Sequence, residues 1–170
     1  MYLTNIKNFG ICHLFILEVC LGGWQLSDDI IRDVLTKYRT VAIVGLSRAP
    51  SKPSHFVPQY LKNHGFRIIP VNPTLNEILG EKCYKDLLAL PFEVQKTVEI
   101  IDIFRPSADV MPIVEQAVQL RKMHDLPYVV WMQLGIVNEQ AAELAQKAGL
   151  AVVMDKCMMQ EYRRIFDDMQ

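Results

Sequence analysis

The chain has 170 residues, of which 51% are hydrophobic and 22% are charged. This composition is typical of one globular domain plus a short extra segment, and it excludes a disordered chain, a collagen and a coiled coil. The 18 basic and 19 acidic residues leave a net charge of −1, so the chain lacks the basic excess of a nucleic-acid-binding protein and any charge run for an anionic membrane surface.

The first segment of the chain, residues 9–24, is largely apolar but is interrupted by His13 and Glu18. It is too short and too interrupted for a comfortable membrane span, and it lacks the A-x-A cleavage site of a signal peptide. A weak signal peptide and a peripheral anchor stay open as alternatives. We interpret residues 1–26 as a non-core extension and residues 27–170 as the domain.

The four cysteines stand at positions 12, 20, 83 and 157, and no C-x-x-C pair occurs. This spacing fits neither a zinc site nor a redox dithiol. Free thiols are typical of a reducing compartment, so the sequence predicts a cytoplasmic protein without a bound metal.

Beyond residue 26, predicted strands alternate with predicted helices. The helices are expected at about residues 27–38, 54–64, 107–123, 138–147 and 158–170, and the strands at 41–45, 67–72, 98–104, 128–134 and 151–154. Several strands are continuous apolar runs, which is typical of strands buried on both faces. The alternation predicts an α/β fold: a Rossmann-like, doubly wound, five-stranded and mainly parallel sheet with helices on both faces.

Single residues refine this prediction at several points. Ser54, Ser107 and Asn138 are expected to cap the helices that follow them. Pro70 is unusual inside a central strand, so the second strand is expected to end there. Residues 73–91 are expected to form loop and short helix. Asp102, inside the third strand, is expected to be a buried polar group with hydrogen-bond partners.

Ligands of doubly wound sheets bind at the carboxyl ends of the strands, where the strand order reverses. Four of these ends carry polar or aromatic residues and turn formers, at positions 45–54, 71–73, 104–106 and 131–135. The loop at 45–54 precedes a helix, whose N-terminus favours anions. The convergence of these ends predicts a ligand site.

Two common nucleotide motifs are missing from this site. The loop at 45–54 contains neither G-x-G-x-x-G nor G-x-x-x-x-G-K-[ST], which argues against a P-loop NTPase and leaves an ordinary polar loop open. The second strand ends in Asn72 rather than in the Asp or Glu that holds the ribose of NAD. Arg105 suits a phosphate or adenine contact, or a surface salt bridge.

Seven segments occur in an informative colinear order: VAIVGLS at 41–47, SKPS at 51–54, GFRIIPVNP at 65–73, ILGEKCY at 78–84, DIFRP at 102–106, VWMQLGIVNEQAA at 130–142 and VVMDKCM at 152–158. In these segments the chain resembles the small stand-alone CoA-binding proteins, whose fold is similar to the CoA-binding domain of the succinyl-CoA synthetase alpha subunit. The resemblance covers about residues 27–166 and implies a Rossmann-like site for coenzyme A or an acyl-CoA.

By position, the resemblance implies a set of cofactor-binding residues: Gly45, Leu46, Ser47, Arg48, Lys52, Ser54, Val71, Asn72, Pro73, Phe104, Arg105, Trp131, Gln133 and Gly135. The loop after the first strand would approach the pyrophosphate, and the end of the second strand would border the adenosine or the pantetheine. The end of the third strand would flank the adenine and its phosphates, and the end of the fourth would line the groove. The family usually has arginine where this chain has Lys52, which keeps the charge but loses bidentate phosphate binding.

No nucleophile–base pair of a catalytic site is visible in the sequence. The four histidines are scattered and are expected in surface or capping roles. Cys157, beside Lys156, is a candidate for a mixed disulfide with the thiol of CoA if the lysine lowers the pKa of the cysteine, and otherwise a buried structural thiol.

The favoured function is therefore binding of CoA or acyl-CoA at the carboxyl edge of the sheet, without catalysis by this chain. An enzyme or enzyme subunit that uses acyl-CoA or NAD(P), with catalytic groups from a partner, is the alternative. A protein that uses the fold only for interaction is a third reading. The sequence leaves open a homodimer and an unidentified protein partner, and it predicts no nucleic-acid or membrane partner.

Overall fold

The structure, a computed structural model, describes residues 27–167. The segment at residues 1–26, predicted as a non-core extension, lies outside the described residues.

Helices and strands alternate along the described chain as the sequence predicts. The strands are β1 (Thr40–Val44), β2 (Arg67–Val71), β3 (Glu77–Ile78), β4 (Glu81–Lys82), β5 (Ile100–Ile103), β6 (Val129–Met132) and β7 (Ala151–Val153). The helices are α1 (Asp28–Lys37), α2 (Pro53–Asn63), α3 (Phe92–Gln95), α4 (Val110–His124), α5 (Glu139–Lys147) and α6 (Met158–Tyr162). A 3-10 turn at Ser107–Asp109 precedes α4, and a π-helical turn at Arg163–Asp167 follows α6.

Five parallel strands form the central sheet in the order β2-β1-β5-β6-β7, while β3 and β4 form a separate antiparallel hairpin. Helices α1, α2 and α6 pack on one face of the sheet, and α4 and α5 pack on the other. Both faces are therefore covered, which is why β1, β5 and β6 are apolar at nearly every position. The predicted fold class is confirmed.

The strand order reverses between β1 and β5, which lie side by side in the middle of the sheet. From β1 the chain crosses to β2 on one side, and from β5 it crosses to β6 on the other. The loops after β1 and β5 therefore diverge, and this geometry leaves a crevice at the carboxyl edge of the sheet.

The second strand continues through Pro70 to Val71, so the prediction that it ends at the proline is wrong. Strand β2 lies at the edge of the sheet, and Pro70 stands opposite Ile43 in the register with β1. The Pro70 carbonyl points outward and accepts a hydrogen bond from the backbone N–H of Tyr84 at 3.0 Å. Because the missing N–H also faces this outer edge, the proline removes no hydrogen bond of the ladder.

Two of the three predicted caps are also wrong. Helix α2 begins one residue earlier than predicted, with Lys52 as its N-cap and Pro53 at its first position, where a missing N–H costs nothing. Ser107 opens the 3-10 turn, and its hydroxyl accepts a hydrogen bond from the N–H of Val137 instead of capping α4. Asn138 caps α5 as predicted, since its side chain accepts from the N–H of Ala141 at 2.9 Å.

The connection between β2 and β5 differs from the predicted loop and short helix. Residues 73–91 contain the β3–β4 hairpin, and the short helix α3 begins after them, at Phe92. The hairpin turn passes through Leu79 and Gly80, both with positive φ.

Candidate ligand-binding site

Two clefts open at the carboxyl edge of the sheet, one on each side of the loops after β1 and β5. The first cleft, with a volume of about 360 Å³, lies between the ends of β1 and β2 and the start of α4. The second cleft, with a volume of about 340 Å³, lies between the start of α2, the loop after β6 and the start of α6. They flank the reversal of strand order at which ligands of such sheets bind.

The structure divides the predicted site residues between these clefts. The first cleft is lined by Gly45, Val71, Asn72, Pro73 and Arg105. The second is lined by Lys52, Ser54, Phe104 and Gln133. The remaining predicted residues line neither cleft: Leu46, Ser47, Arg48, Trp131 and Gly135.

Gly45 forms the ridge between the two clefts, because its backbone touches the loop after β5. Its φ is +93°, and a Cβ atom here would stand 3.0 Å from both the Phe104 carbonyl oxygen and the Arg105 Cδ atom. Its N–H donates to the Val71 carbonyl at 2.9 Å. Only glycine combines this φ with this close approach of two loops.

The Asn72 side chain joins the end of β2 to the loop after β1. Its Nδ2 donates to the carbonyl of the fully buried Leu46 at 2.9 Å, and its Oδ1 accepts from the Thr74 N–H at 2.9 Å and the Thr74 hydroxyl at 2.8 Å. An acidic residue here could not donate to the Leu46 carbonyl. Asn72, which occupies the position of the ribose-binding acid of NAD domains, therefore links the end of β2 to the loop after β1.

Residues 45–54 form a loop that is closed by its own hydrogen bonds. The Ser47 N–H donates to the Ser54 carbonyl at 3.0 Å, and the Ser47 hydroxyl accepts from the Ala49 N–H at 3.2 Å. The His55 ring, at Nδ1, lies 2.7 Å from the Ser47 carbonyl oxygen and donates to it. His55 thus fixes the loop to α2, and no motif in the sequence indicates this role.

Cations surround this loop and the first cleft. Arg48, Lys52 and Lys85 are exposed, and none of them forms an ion pair within residues 27–167. Arg105 forms an ion pair with Asp109 at 2.8 Å, in which both side chains are about half exposed. Since exposed ion pairs contribute about 0–1 kcal/mol, an anionic ligand can compete for Arg105 at little cost.

A buried polar pair lies beneath the second cleft. Asp102 of β5 is fully buried, and the Gln133 Nε2 donates to its two carboxylate oxygens at 2.9 and 3.0 Å. Burial raises the pKa of Asp102 to about 8, although the hydrogen bonds from Gln133 and from the backbone oppose this rise. The prediction of a buried polar group with partners is confirmed.

Trp131 does not line the groove as predicted, since it is fully buried and lies outside both clefts. It belongs to β6 itself, beneath the loop before α6, and its indole Nε1 donates to the Lys156 carbonyl at 2.7 Å. Gly135 lies in the exposed loop after β6, where its N–H donates to the Asp155 carboxylate at 2.6 Å.

Cys157 lines the second cleft at the start of α6, with 8% of its surface exposed. Burial raises the pKa of this thiol, and backbone hydrogen bonds offset the rise in part. The predicted lowering by Lys156 is therefore wrong. The ammonium group of Lys156 pairs instead with Glu161, at 3.7 Å.

Within residues 27–167, no helix has the length and apolar character needed to cross a membrane. The same residues contain no group of three or more histidine, cysteine, aspartate or glutamate side chains that could hold a metal ion.

Comparison with solved structures places the fold among small proteins of similar size. A hypothetical protein from Pyrococcus horikoshii OT3 is 37% identical with a TM-score of 0.75, over 84% of this chain and 94% of that one. A protein from Thermus thermophilus is 36% identical with a TM-score of 0.74, over 83% of this chain and 100% of that one.

Comparison of sequences identifies the relatives. YneT, an uncharacterized protein of Bacillus subtilis, is 35% identical over 128 residues, which are 75% of this chain and 88% of YneT. The ADP-forming acetate–CoA ligase II of Archaeoglobus fulgidus is 40% identical over 85 residues, but these are only 13% of the ligase. Residues 39–163 match the family model of the CoA binding domain. The chain therefore belongs to the CoA-binding domain family.

Proposed function

We propose that this protein binds coenzyme A or an acyl-CoA across the two clefts at the carboxyl edge of its sheet, without catalysis of its own. The observation that carries the proposal is the pair of clefts on either side of the Gly45 ridge. They lie at the reversal of strand order, in a chain whose residues 39–163 match a CoA binding domain.

The distribution of charge suits the two ends of the ligand. CoA has a nucleotide end with three phosphate groups and an uncharged pantetheine arm. The first cleft is lined by two cations, Arg105 and Lys85, and by two carboxylates, Asp109, which pairs with Arg105, and Asp86, which accepts from the Ala89 N–H. Two further cations, Arg48 and Lys52, lie on the loop between the clefts and have no carboxylate partner among the described residues. This arrangement supports placing the nucleotide in the first cleft and the pyrophosphate over the loop, near the start of α2.

The pantetheine arm then extends into the second cleft. Lys52 stands at its rim and is the one charged side chain among the described residues that line it. The other lining residues are apolar or neutral, so this cleft suits the uncharged part of the ligand.

The same residues favour CoA over NAD. Asn72 stands at the end of β2, where NAD-binding domains have an acid for the ribose, and its side chain already binds Leu46 and Thr74. CoA carries a 3′-phosphate on its ribose and gains nothing from an acid at this position.

A binding role is also supported by the contacts of His55 and Cys157, the two side chains near the clefts that could act as a base or as a nucleophile. The His55 ring is held by the Ser47 carbonyl, and burial raises the pKa of Cys157, which lowers its thiolate fraction. Neither side chain is arranged as an activated nucleophile or as its base.

The similarity to ADP-forming acetate–CoA ligases favours a second candidate, a CoA-binding part that works with a separate catalytic chain. The chain spans about an eighth of the length of two of these ligases, since it covers 13% of the one from Archaeoglobus fulgidus and 12% of one from Methanocaldococcus jannaschii. In that case CoA binding is unchanged, and ligase activity appears only when the catalytic chain is added.

The test compares CoA affinity among matched variants of the full chain. Lys52→Ala and Arg105→Ala each remove a charged hydrogen bond, so we expect each to weaken binding by about 1–3 kcal/mol, or roughly 5- to 150-fold. Arg67→Ala is the control, because Arg67 begins β2 at the opposite edge of the sheet and is exposed. Wild-type affinity in both site variants would show that the site lies elsewhere.

A further inference from the structure

The second cleft has more apolar surface than a bare thiol would cover. Phe56 and Leu134 stand at its mouth with 40% and 61% of their surfaces exposed, and Val57, Ile136 and Met159 contribute to its walls. Large apolar side chains exposed around one concave site mark a surface that gains free energy when a ligand covers it.

One side chain that lines this cleft has a polar atom without a partner among residues 27–167. Gln133 is 4% exposed, and its Nε2 donates to the two carboxyl oxygens of Asp102. Its Oε1 accepts no hydrogen bond from any described residue, while the side chain lines the cleft. A carbonyl oxygen without a partner, on a nearly buried side chain that lines a cleft, can accept from a ligand N–H, and the pantetheine arm carries amide N–H groups.

The size of the cleft limits the ligand that it takes. At about 30 Å³ for each non-hydrogen atom, the volume of one water, a cleft of about 340 Å³ holds about eleven such atoms. Butyryl-cysteamine, the end of butyryl-CoA, has roughly nine on the same scale, and octanoyl-cysteamine has roughly thirteen. The volume therefore suits an acyl chain of about four to six carbons.

We propose that the second cleft binds the acylated thiol end of a short-chain acyl-CoA, with the Gln133 Oε1 accepting from a pantetheine N–H and the apolar walls covering the acyl chain. This inference rests on the proposed function and specifies its ligand as acyl-CoA rather than free CoA. Cys157, at the base of the cleft, lies next to the bound thioester.

The first test measures the affinity of the full chain for CoA, acetyl-CoA, butyryl-CoA and octanoyl-CoA by titration calorimetry. Burial of one methylene tightens binding about fourfold, so affinity should rise from acetyl- to butyryl-CoA and level off before octanoyl-CoA. Equal affinities for CoA and butyryl-CoA would overturn this inference and leave the proposed function intact. Absence of binding by every CoA species would overturn the proposed function itself.

Matched surface variants locate the acyl chain. Leu134→Ser removes an apolar side chain from the mouth of the second cleft, and its 61% exposure means that folding does not depend on it. Val137→Ser is the control, because Val137 is 44% exposed and lines neither cleft. The preference for butyryl-CoA over CoA should shrink severalfold in Leu134→Ser and persist in Val137→Ser. An unchanged preference in Leu134→Ser would contradict the placement.

Cysteine alkylation supplies a second, independent readout. Cys157 lines the second cleft and Cys83 lines neither, while both are buried and are free thiols. Butyryl-CoA should slow the alkylation of Cys157 severalfold relative to Cys83, as resolved by peptide mass spectrometry, and adenosine 3′,5′-bisphosphate should not. Equal protection of both cysteines by butyryl-CoA, or none of Cys157, would overturn the inference.

Discussion

Replacing Asp102 by asparagine is expected to stabilise the protein near pH 8 and to change its stability far less near pH 4. Asp102 is fully buried on β5, and its hydrogen bonds come from neutral groups, the Gln133 amide and the Ile103 backbone. Ionised Asp102 therefore carries a buried charge without a cation beside it, which is costly. Asparagine keeps the shape and removes the charge, and Gln133 can turn its amide to pair with it.

The pKa of Asp102 sets the size and the sign of the effect. Burial raises this pKa from 3.8 to about 8, so between these two values the folded chain holds a proton that the unfolded chain has lost. The free energy of unfolding of the wild type then falls by about 1.4 kcal/mol for each pH unit. Over about four units the loss approaches roughly 5 kcal/mol. The stabilising contribution of the protonated group is complete below pH 4 and is lost as the pH rises through about 8.

Urea unfolding of both proteins at several pH values between 5 and 8 measures this effect. All other groups titrate in both proteins, so the difference in unfolding free energy between variant and wild type isolates Asp102. We expect that difference to grow in favour of Asp102→Asn by about 1.4 kcal/mol per pH unit. Parallel curves for the two proteins would refute the reasoning, because they would show that Asp102 is ionised in the folded state throughout this range.

Further substitutions test the loops and one helix cap. Gly45→Ala places a Cβ 3.0 Å from the Phe104 carbonyl oxygen at a φ of +93°. The unfolding free energy should therefore fall by at least about 1 kcal/mol, and CoA binding should weaken. An unchanged unfolding midpoint would contradict the close approach of the two loops at Gly45. Asn72→Asp loses the donor to the Leu46 carbonyl, so calorimetry should show weaker CoA binding without gain of NAD binding; tight NAD binding would indicate a generic dinucleotide site. Asn138→Ala removes the α5 cap and should cost about 0.5–2 kcal/mol in urea unfolding with CoA affinity unchanged; a parallel loss of affinity would show that α5 supports the site.

The fold could be predicted because the sequence patterns that indicate it lie within single strands and helices. The continuous apolar runs of β1, β5 and β6 and the regular alternation with helices are enough to indicate a covered parallel sheet. The Pro70 prediction failed because the sequence does not tell which strand lies at the edge, and only an edge strand accepts proline with its nitrogen facing outward. At Ser54 the usual preference for serine caps gave way to Pro53, which favours the first helical position.

The site was predictable only at the level of the strand ends. Residues that follow a strand, such as Asn72 and Gln133, lie at the clefts because the chain path alone carries them there. Trp131 lies two residues before Gln133, within β6, where the loop before α6 covers it. Helical residues such as Ile113 and Gln116 line the first cleft because of the way α4 packs on the sheet, and no sequence motif indicates their position.

The pKa of Cys157 depends on contacts made in the fold and not on the residue beside it in sequence. Lys156 is adjacent in sequence, and this suggested a lowered thiol pKa. In the fold the lysine turns to Glu161, and burial of the thiol dominates. Electrostatic neighbours are set by packing, so adjacency in sequence does not determine them.

Calorimetric titration of the full chain with CoA and with NAD distinguishes a CoA site in the two clefts from a generic dinucleotide site. We expect saturable heat with CoA and none with NAD at the same concentrations, because the cations of the loop at 45–54 suit a phosphorylated nucleotide and the end of β2 lacks the ribose-binding acid. Absence of heat with CoA at high micromolar concentration, or equal affinity for NAD, would contradict this expectation.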